Sequence, residues 1–151
     1  MVVGTRQSPL KLNSSLMLGT TGVYIVITAD IIKSYGSEHM ILVFISVLKA
    51  RLNNTNKQIS FDEISLDEVS YAYQGICQEY NLERVYSSIL PPLKRLELAG
   101  FIKLGSSKKG STKISEIGFG ENTPEVIENL LYNDPDYAKY KSFDPFSSKN
   151  H

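Results

Sequence analysis

The chain has 151 residues, with 16 Lys and Arg balanced by 16 Asp and Glu, so its formal net charge is zero. That length suits one domain with its own hydrophobic core, and an apolar fraction of 42% with 21% charged residues argues against a disordered chain. A lone cysteine, Cys77, cannot form an internal disulfide and points to a reducing compartment, and with only His39 and His151 beside it no zinc site is expected.

Met1 to Thr21 is rich in Gly, Ser and Thr with no clear period, which predicts a linker or poorly ordered arm. Gly19, Thr20, Thr21 and Gly22 read as a flexible turn rather than a phosphate loop, because no Lys follows them. The apolar stretch from Gly22 to Ile32 is too short to span a bilayer and contains Asp30. No small-residue cleavage site follows it. Val23 to Ile32 is β-branched, and fits either a strand or the start of a helix.

From Glu38, Ile41, Phe44, Ile45 and Leu48 fall at helical spacing, predicting an amphipathic helix that ends near Arg51 and is stopped by Asn53, Asn54 and Asn56. Gln58 to Ile64 alternates as a short strand. Ser65 with Glu68 three residues on is a capping box, and Val69, Tyr73, Ile76, Cys77 and Tyr80 mark the buried face of the helix it opens. Leu82 to Ile89 reads as a short turn, because Pro91 and Pro92 are intolerable in a helix interior but suit a first turn. A helix then runs from Pro91 to Ala99 and is closed by Gly100. Phe101 to Leu104 and Thr112 to Phe119 read as two strands joined by a Gly-, Ser- and Lys-containing turn. Thr123 and Pro124 start a last helix, with Val126, Ile127, Leu130 and Leu131 as its inner face. Beyond Asn133, four aromatic residues are scattered in an irregular tail that packs on the domain or on a partner.

The neutral total conceals a sorted charge. Between Glu83 and Lys113 lie seven basic residues and two acidic ones, whereas Phe61 to Tyr80 and Ile114 to Asp136 together hold eleven acidic residues and no Lys or Arg. Such sorting marks a surface suited to phosphates. The expected architecture is α+β, mainly α: a winged helix-turn-helix whose wing is the two-stranded β-hairpin. Residues 1–34 are an arm, 35–133 the winged-helix domain and 134–151 the tail. In that fold the helix after the turn can enter a major groove while the hairpin follows the backbone.

Double-stranded DNA is therefore the expected ligand, contacted by Lys94 and Arg95 on the helix, Lys103 and Lys113 on the strands, and Lys108 and Lys109 at the hairpin tip. Ser87 and Ser88 are candidate phosphate donors. The plainer reading of Lys94 and Arg95 is two solvated charges, and Lys at a hairpin tip also serves solubility. The acidic flanks would form the back of the domain, kept off the DNA. No catalytic, metal or cofactor-binding set is expected: the pairs Asp62 with Glu63 and Asp67 with Glu68 are helix or chain neighbours that do not face each other. Neither a membrane nor a small-molecule substrate is expected as a partner.

The run V-S-Y-A-Y-Q-G-I-C-Q-E-Y-N-L and the later L-K-R-L-E-L-A-G-F-I-K-L, both between Val69 and Leu104, resemble the C-terminal winged-helix domain of the archaeal and eukaryotic replication initiators, the origin-recognition and cell-division-control ATPases. The residues concerned are Tyr71, Tyr73, Cys77, Leu93, Leu96, Leu98 and Gly100, then Lys108, Lys109, Gly110, Thr112 and Lys113, and finally Pro124, Glu125, Val126, Ile127 and Leu130. The similarity spans about Glu38 to Tyr132. It implies contact with origin DNA, packing against other initiator or helicase-loading subunits, and a nuclear location in a eukaryote or a cytoplasmic, nucleoid one in an archaeon. The chain departs from the family in two respects. It has no G-x-x-x-x-G-K-[ST] loop, so ATP hydrolysis is not expected, and Pro91 and Pro92 replace ordinary residues of the recognition helix. The alternative is a protein-interaction winged helix, a subunit or adaptor in a replication or transcription complex, suggested by zero net charge, the aromatic tail and the outward-facing Leu98.

Overall fold

The computed structural model describes residues 28–57 and 64–147. The greater part of the expected arm, residues 1–27, the expected strand up to residue 63, and residues 148–151 lie outside the described residues. The order of elements is α1 (Ala29–Lys33), α2 (Glu38–Asn56), β1 (Ile64–Ser65), α3 (Leu66–Glu79), α4 (Leu90–Ala99), β2 (Ile102–Ser106), β3 (Thr112–Ile117), α5 (Pro124–Tyr132) and a 3-10 turn at Ala138–Tyr140. The fold is thus α+β, mainly α. The three strands form one antiparallel sheet in the order β1-β3-β2.

Local capping accounts for most helix starts. The hydroxyls of Thr28, Ser37 and Thr123 accept from Ile31, Met40 and Val126 N–H. Ser65 and Glu68 exchange side-chain and backbone bonds at 3.1 and 2.8 Å, the expected capping box. Pro91 and Pro92 sit in the first turn of α4, where the N–H groups they lack would have no helical acceptor. Gly100 ends the helix at φ 94, a left-handed conformation that side chains disfavour.

Helix α2 corrects the expected amphipathic pattern. Every residue from Met40 to Ala50 is buried, and the helix continues through Asn53 and Asn54 to Asn56 instead of stopping near Arg51. It is the central rod of the domain, packed against α1, α3, α4, α5 and β1, so a one-sided apolar stripe would not serve. Ser46, buried on this helix, donates to Leu42 O at 2.7 Å. On α5 only Ile127 and Leu131 are buried; Val126 is 43% exposed and Leu130 half-buried.

Both chain segments outside the expected domain bounds contribute to this core. Ile32 of α1 and Tyr137 and Tyr140 of the tail are buried in it. Lys33 bridges the two ends through Asp134 at 3.1 Å and Asp136 at 2.8 Å. The tail lies along α3, where Tyr80 donates to Lys139 O at 2.7 Å and Phe146 packs on Tyr71. A Cβ at Gly75 would come within 3.1 Å of Pro145, so glycine there lets the tail approach.

The tail is also held by a buried cation. Lys49 Nζ donates to Tyr140 O at 2.7 Å and Lys141 O at 3.2 Å, and lies 5.1 Å from the centre of the Tyr132 ring. Burial lowers its pKa to about 8, against the weaker pull of the Glu128 and Asp144 carboxylates. The folded protein therefore releases this proton at a pH where the unfolded chain still holds it, and stability rises with pH through that window. From pH 7 to 9 the expected gain is about 1 kcal/mol in urea titrations. Above about pH 9 the buried Cys77 thiol and then the buried Tyr132, Tyr137 and Tyr140 phenols, all raised by burial, act in the opposite sense. A Lys49→Met variant should lose the rise between pH 7 and 9; an unchanged rise would locate its source elsewhere.

Candidate nucleic-acid interface

Helix α4 presents two faces. Pro92, Leu93 and Leu96 are buried, while Pro91, Lys94, Arg95 and Leu98 are exposed along the opposite side. This matches the spacing in the sequence, since positions three and four apart share a face. Glu97 is the single carboxylate of the helix, and it is diverted: its Oε2 accepts from Leu104 N–H at 2.9 Å. The β2–β3 register shifts between Lys103 and Leu104, so the carboxylate binds the hairpin at its irregular point. Gly100 and Phe101 complete the link, with Phe101 N–H donating to Leu96 O at 3.0 Å. Helix and hairpin are in this way one braced unit.

On the sheet, Ile102, Ile114 and Ile117 point to the core. By the alternation of strands, Lys103 with its cross-strand partner Glu116, and Lys113 with its partner Gly105, face outward. The Lys103–Glu116 ion pair is long, 3.9 Å, between two largely exposed side chains, a geometry worth little in stability. The hairpin tip is a built turn. Ser107 Oγ accepts from the N–H groups of Lys109 and Ser111, both at 3.2 Å, and Gly110 takes φ 88. Lys108 and Lys109 project from this turn into solvent.

The six expected cations thus fall on two consecutive, connected elements. Lys94, Arg95, Lys108 and Lys109 are exposed and make no ion pair or side-chain hydrogen bond among the described residues. Elsewhere Lys33 is paired with two aspartates, Lys49 is buried and Arg51 binds Glu125 on α5, while Lys57, Arg84, Lys139 and Lys141 are exposed at separate places outside α4 and the hairpin. Ser87 and Ser88 are exposed in the connection that leads into α4. The expectation that acid stays on the back of the domain needs correcting. Glu116 lies on the hairpin itself, and with Glu97 and Glu121 it lines a groove of about 490 Å³ at the hairpin base. The outward face therefore turns negative toward that base, because a carboxylate is the cross-strand neighbour of Lys103.

A contact that sequence spacing did not reveal sets the connection before α4. Tyr73 lies on the core stripe of α3, as expected, yet its hydroxyl accepts from Val85 N–H at 3.1 Å and Tyr86 N–H at 3.4 Å. Having accepted twice, the hydroxyl has its own proton to give to His39 Nδ1, 2.7 Å away. Burial raises the phenol's pKa, and the two N–H donors pull it the other way. Helices α2 and α3 and the 82–89 connection meet at this oxygen. No group of three or more His, Cys, Asp or Glu among the described residues is placed to hold a metal ion, and no described helix is long and apolar enough to cross a membrane.

Comparison with protein-family models, with curated proteins and with solved structures finds no match for this chain.

Proposed function

We propose that the chain is a DNA-binding domain of the winged-helix type, with α4 as recognition helix and the β2–β3 hairpin as wing. The observation that carries this reading is the clustering of exposed cations on two linked elements. Four exposed Lys and Arg side chains without an ion pair or side-chain hydrogen bond lie on α4 and the hairpin tip, two braced neighbours, and the exposed cations Lys57, Arg84, Lys139 and Lys141 lie on other segments. Cations without internal partners keep their full capacity to replace counterions on a phosphate backbone. The order helix, strand, helix, helix, hairpin supports the assignment, as does a sheet in which the first strand pairs with the last. Duplex DNA is the ligand, α4 approaches the groove with Lys94 and Arg95 on the flanking phosphates, and Lys108 and Lys109 contact the backbone from the hairpin. The resemblance to replication initiators makes origin DNA the specific target, and other initiator or helicase-loading subunits the partners, of this proposal.

The test is fluorescence anisotropy with a labelled duplex at low salt, comparing the native chain with the double variant Lys108→Glu, Lys109→Glu. Reversing two phosphate contacts is expected to weaken binding by at least about tenfold. Unchanged affinity would refute the assignment of the hairpin.

A protein-interaction role is the second reading. Its support from the aromatic tail falls away, since Tyr137 and Tyr140 are buried in the chain's own core. Leu98 remains, 89% exposed on the outer face of α4.

A further inference from the structure

Leu98 is the most exposed large apolar side chain among the described residues, at 89%, well beyond Val85 at 59%. It is separated from Lys94 by four positions and from Arg95 by three, so all three share one helical face. That face holds no carboxylate, because Glu97 is turned away to bind Leu104 N–H. An apolar group flanked by two unpaired cations suits a surface that is apolar at one point and anionic on both sides. The major groove supplies this arrangement where a thymine C5-methyl lies between phosphate rows, and apolar side chains are known readers of that methyl. A protein partner would need an acidic rim and would leave the hairpin lysines unused.

Resting on the DNA-binding reading above, we infer that Leu98 is a specificity-determining residue that contacts a thymine methyl in the major groove. Lys94 and Arg95 hold the helix against the backbone, and Leu98 supplies the base preference.

The experiment begins by selecting tightly bound duplexes from a randomised pool with the native chain. In a selected duplex each thymine is then replaced in turn by deoxyuridine, which differs only in lacking the C5-methyl, and affinity is measured by anisotropy. One position is expected to lose about fourfold on this replacement, the worth of one buried methyl-sized group. The Leu98→Ala variant should bind thymine and deoxyuridine duplexes alike at that position. Its fold should be intact by circular dichroism, since the side chain is exposed. Equal affinity of the native chain for thymine and deoxyuridine at every position would overturn the inference and leave the DNA-binding reading standing. So would a Leu98→Ala variant that keeps the discrimination, including one that has lost a protein partner. Failure of the native chain to bind any duplex would instead overturn the DNA-binding reading itself.

Discussion

Raising the salt from about 50 to about 200 mM is expected to weaken duplex binding by the native chain about a thousandfold. The magnitude follows from about six phosphate contacts, each of which releases condensed counterions when a Lys or Arg neutralises a phosphate. Lys94, Arg95, Lys108 and Lys109 have no internal partner to surrender before they bind. Lys103 gives up only the 3.9 Å contact with Glu116, between side chains 65% and 70% exposed, which is worth about 1 kcal/mol at most. Lys113 lies on the same outward strand face as Lys103. Net charge plays little part in this prediction, for the chain is neutral as a whole. What matters at the Debye length of about 10 Å that holds near 0.1 M salt is the local field, and carboxylates on other faces are largely screened. Glu116 and Glu121 at the hairpin base should bound the footprint there, so that contacts end at the outer strands and tip. Anisotropy titrations across this salt range check the prediction; an affinity that changes less than about tenfold would imply at most two contacts.

The Tyr73→Phe variant is expected to be destabilised by about 2 kcal/mol, although it removes a single oxygen from the core. That oxygen satisfies Val85 N–H and Tyr86 N–H and is bonded to His39. Phenylalanine fills the same space and leaves all three groups without their partner, and the cost of a polar group so stranded exceeds the worth of an ordinary exposed hydrogen bond. The loss is local as well as global. The connection from Leu82 to Ile89 is irregular; backbone bonds hold its ends, Leu82 N–H to Cys77 O and Leu93 N–H to Ile89 O, and the Tyr73 hydroxyl anchors its middle, from which it delivers Ser87 and Ser88 to the start of α4. Amide exchange at Val85 should therefore quicken more than exchange in α2. Urea denaturation gives the stability, and exchange measured under native conditions gives the local effect. A variant as stable as the native chain, with Val85 equally protected, would contradict the role given to the hydroxyl.

The elements that sequence made legible are those specified by local chemistry. Ser65 with Glu68, Thr123 with Pro124, and Gly100 each fix a helix end through groups within a few residues, and all lie where spacing puts them. The exposed stripe of Pro91, Lys94, Arg95 and Leu98 was readable for the same reason. Features made by distant partners were not. The all-round burial of α2 arises because α1, α3, α4, α5 and β1 pack around it, and the tail adds the carbonyl of Tyr140, 91 residues after Lys49, as that lysine's acceptor. A lysine in mid-helix carries no sign of that in sequence. Likewise the bond from Leu104 N–H to Glu97 lies where the strand register shifts, and neither the bond nor the extra residue, Ser115 on β3, is marked in the sequence. The acid on the hairpin face was missed because segment-wide charge counts end at Lys113, whereas Glu116 is brought opposite Lys103 by strand pairing.

The central claim is that helix α4 and the hairpin engage one duplex together. The measurement that tests it most directly is the slope of log affinity against log salt for three variants: Lys94→Ala with Arg95→Ala, Lys108→Ala with Lys109→Ala, and all four combined. If both elements touch the same DNA, each pair should flatten the slope by about two and the quadruple variant by about four. A slope that responds to only one pair, or to neither, would show that these cations do not share a ligand.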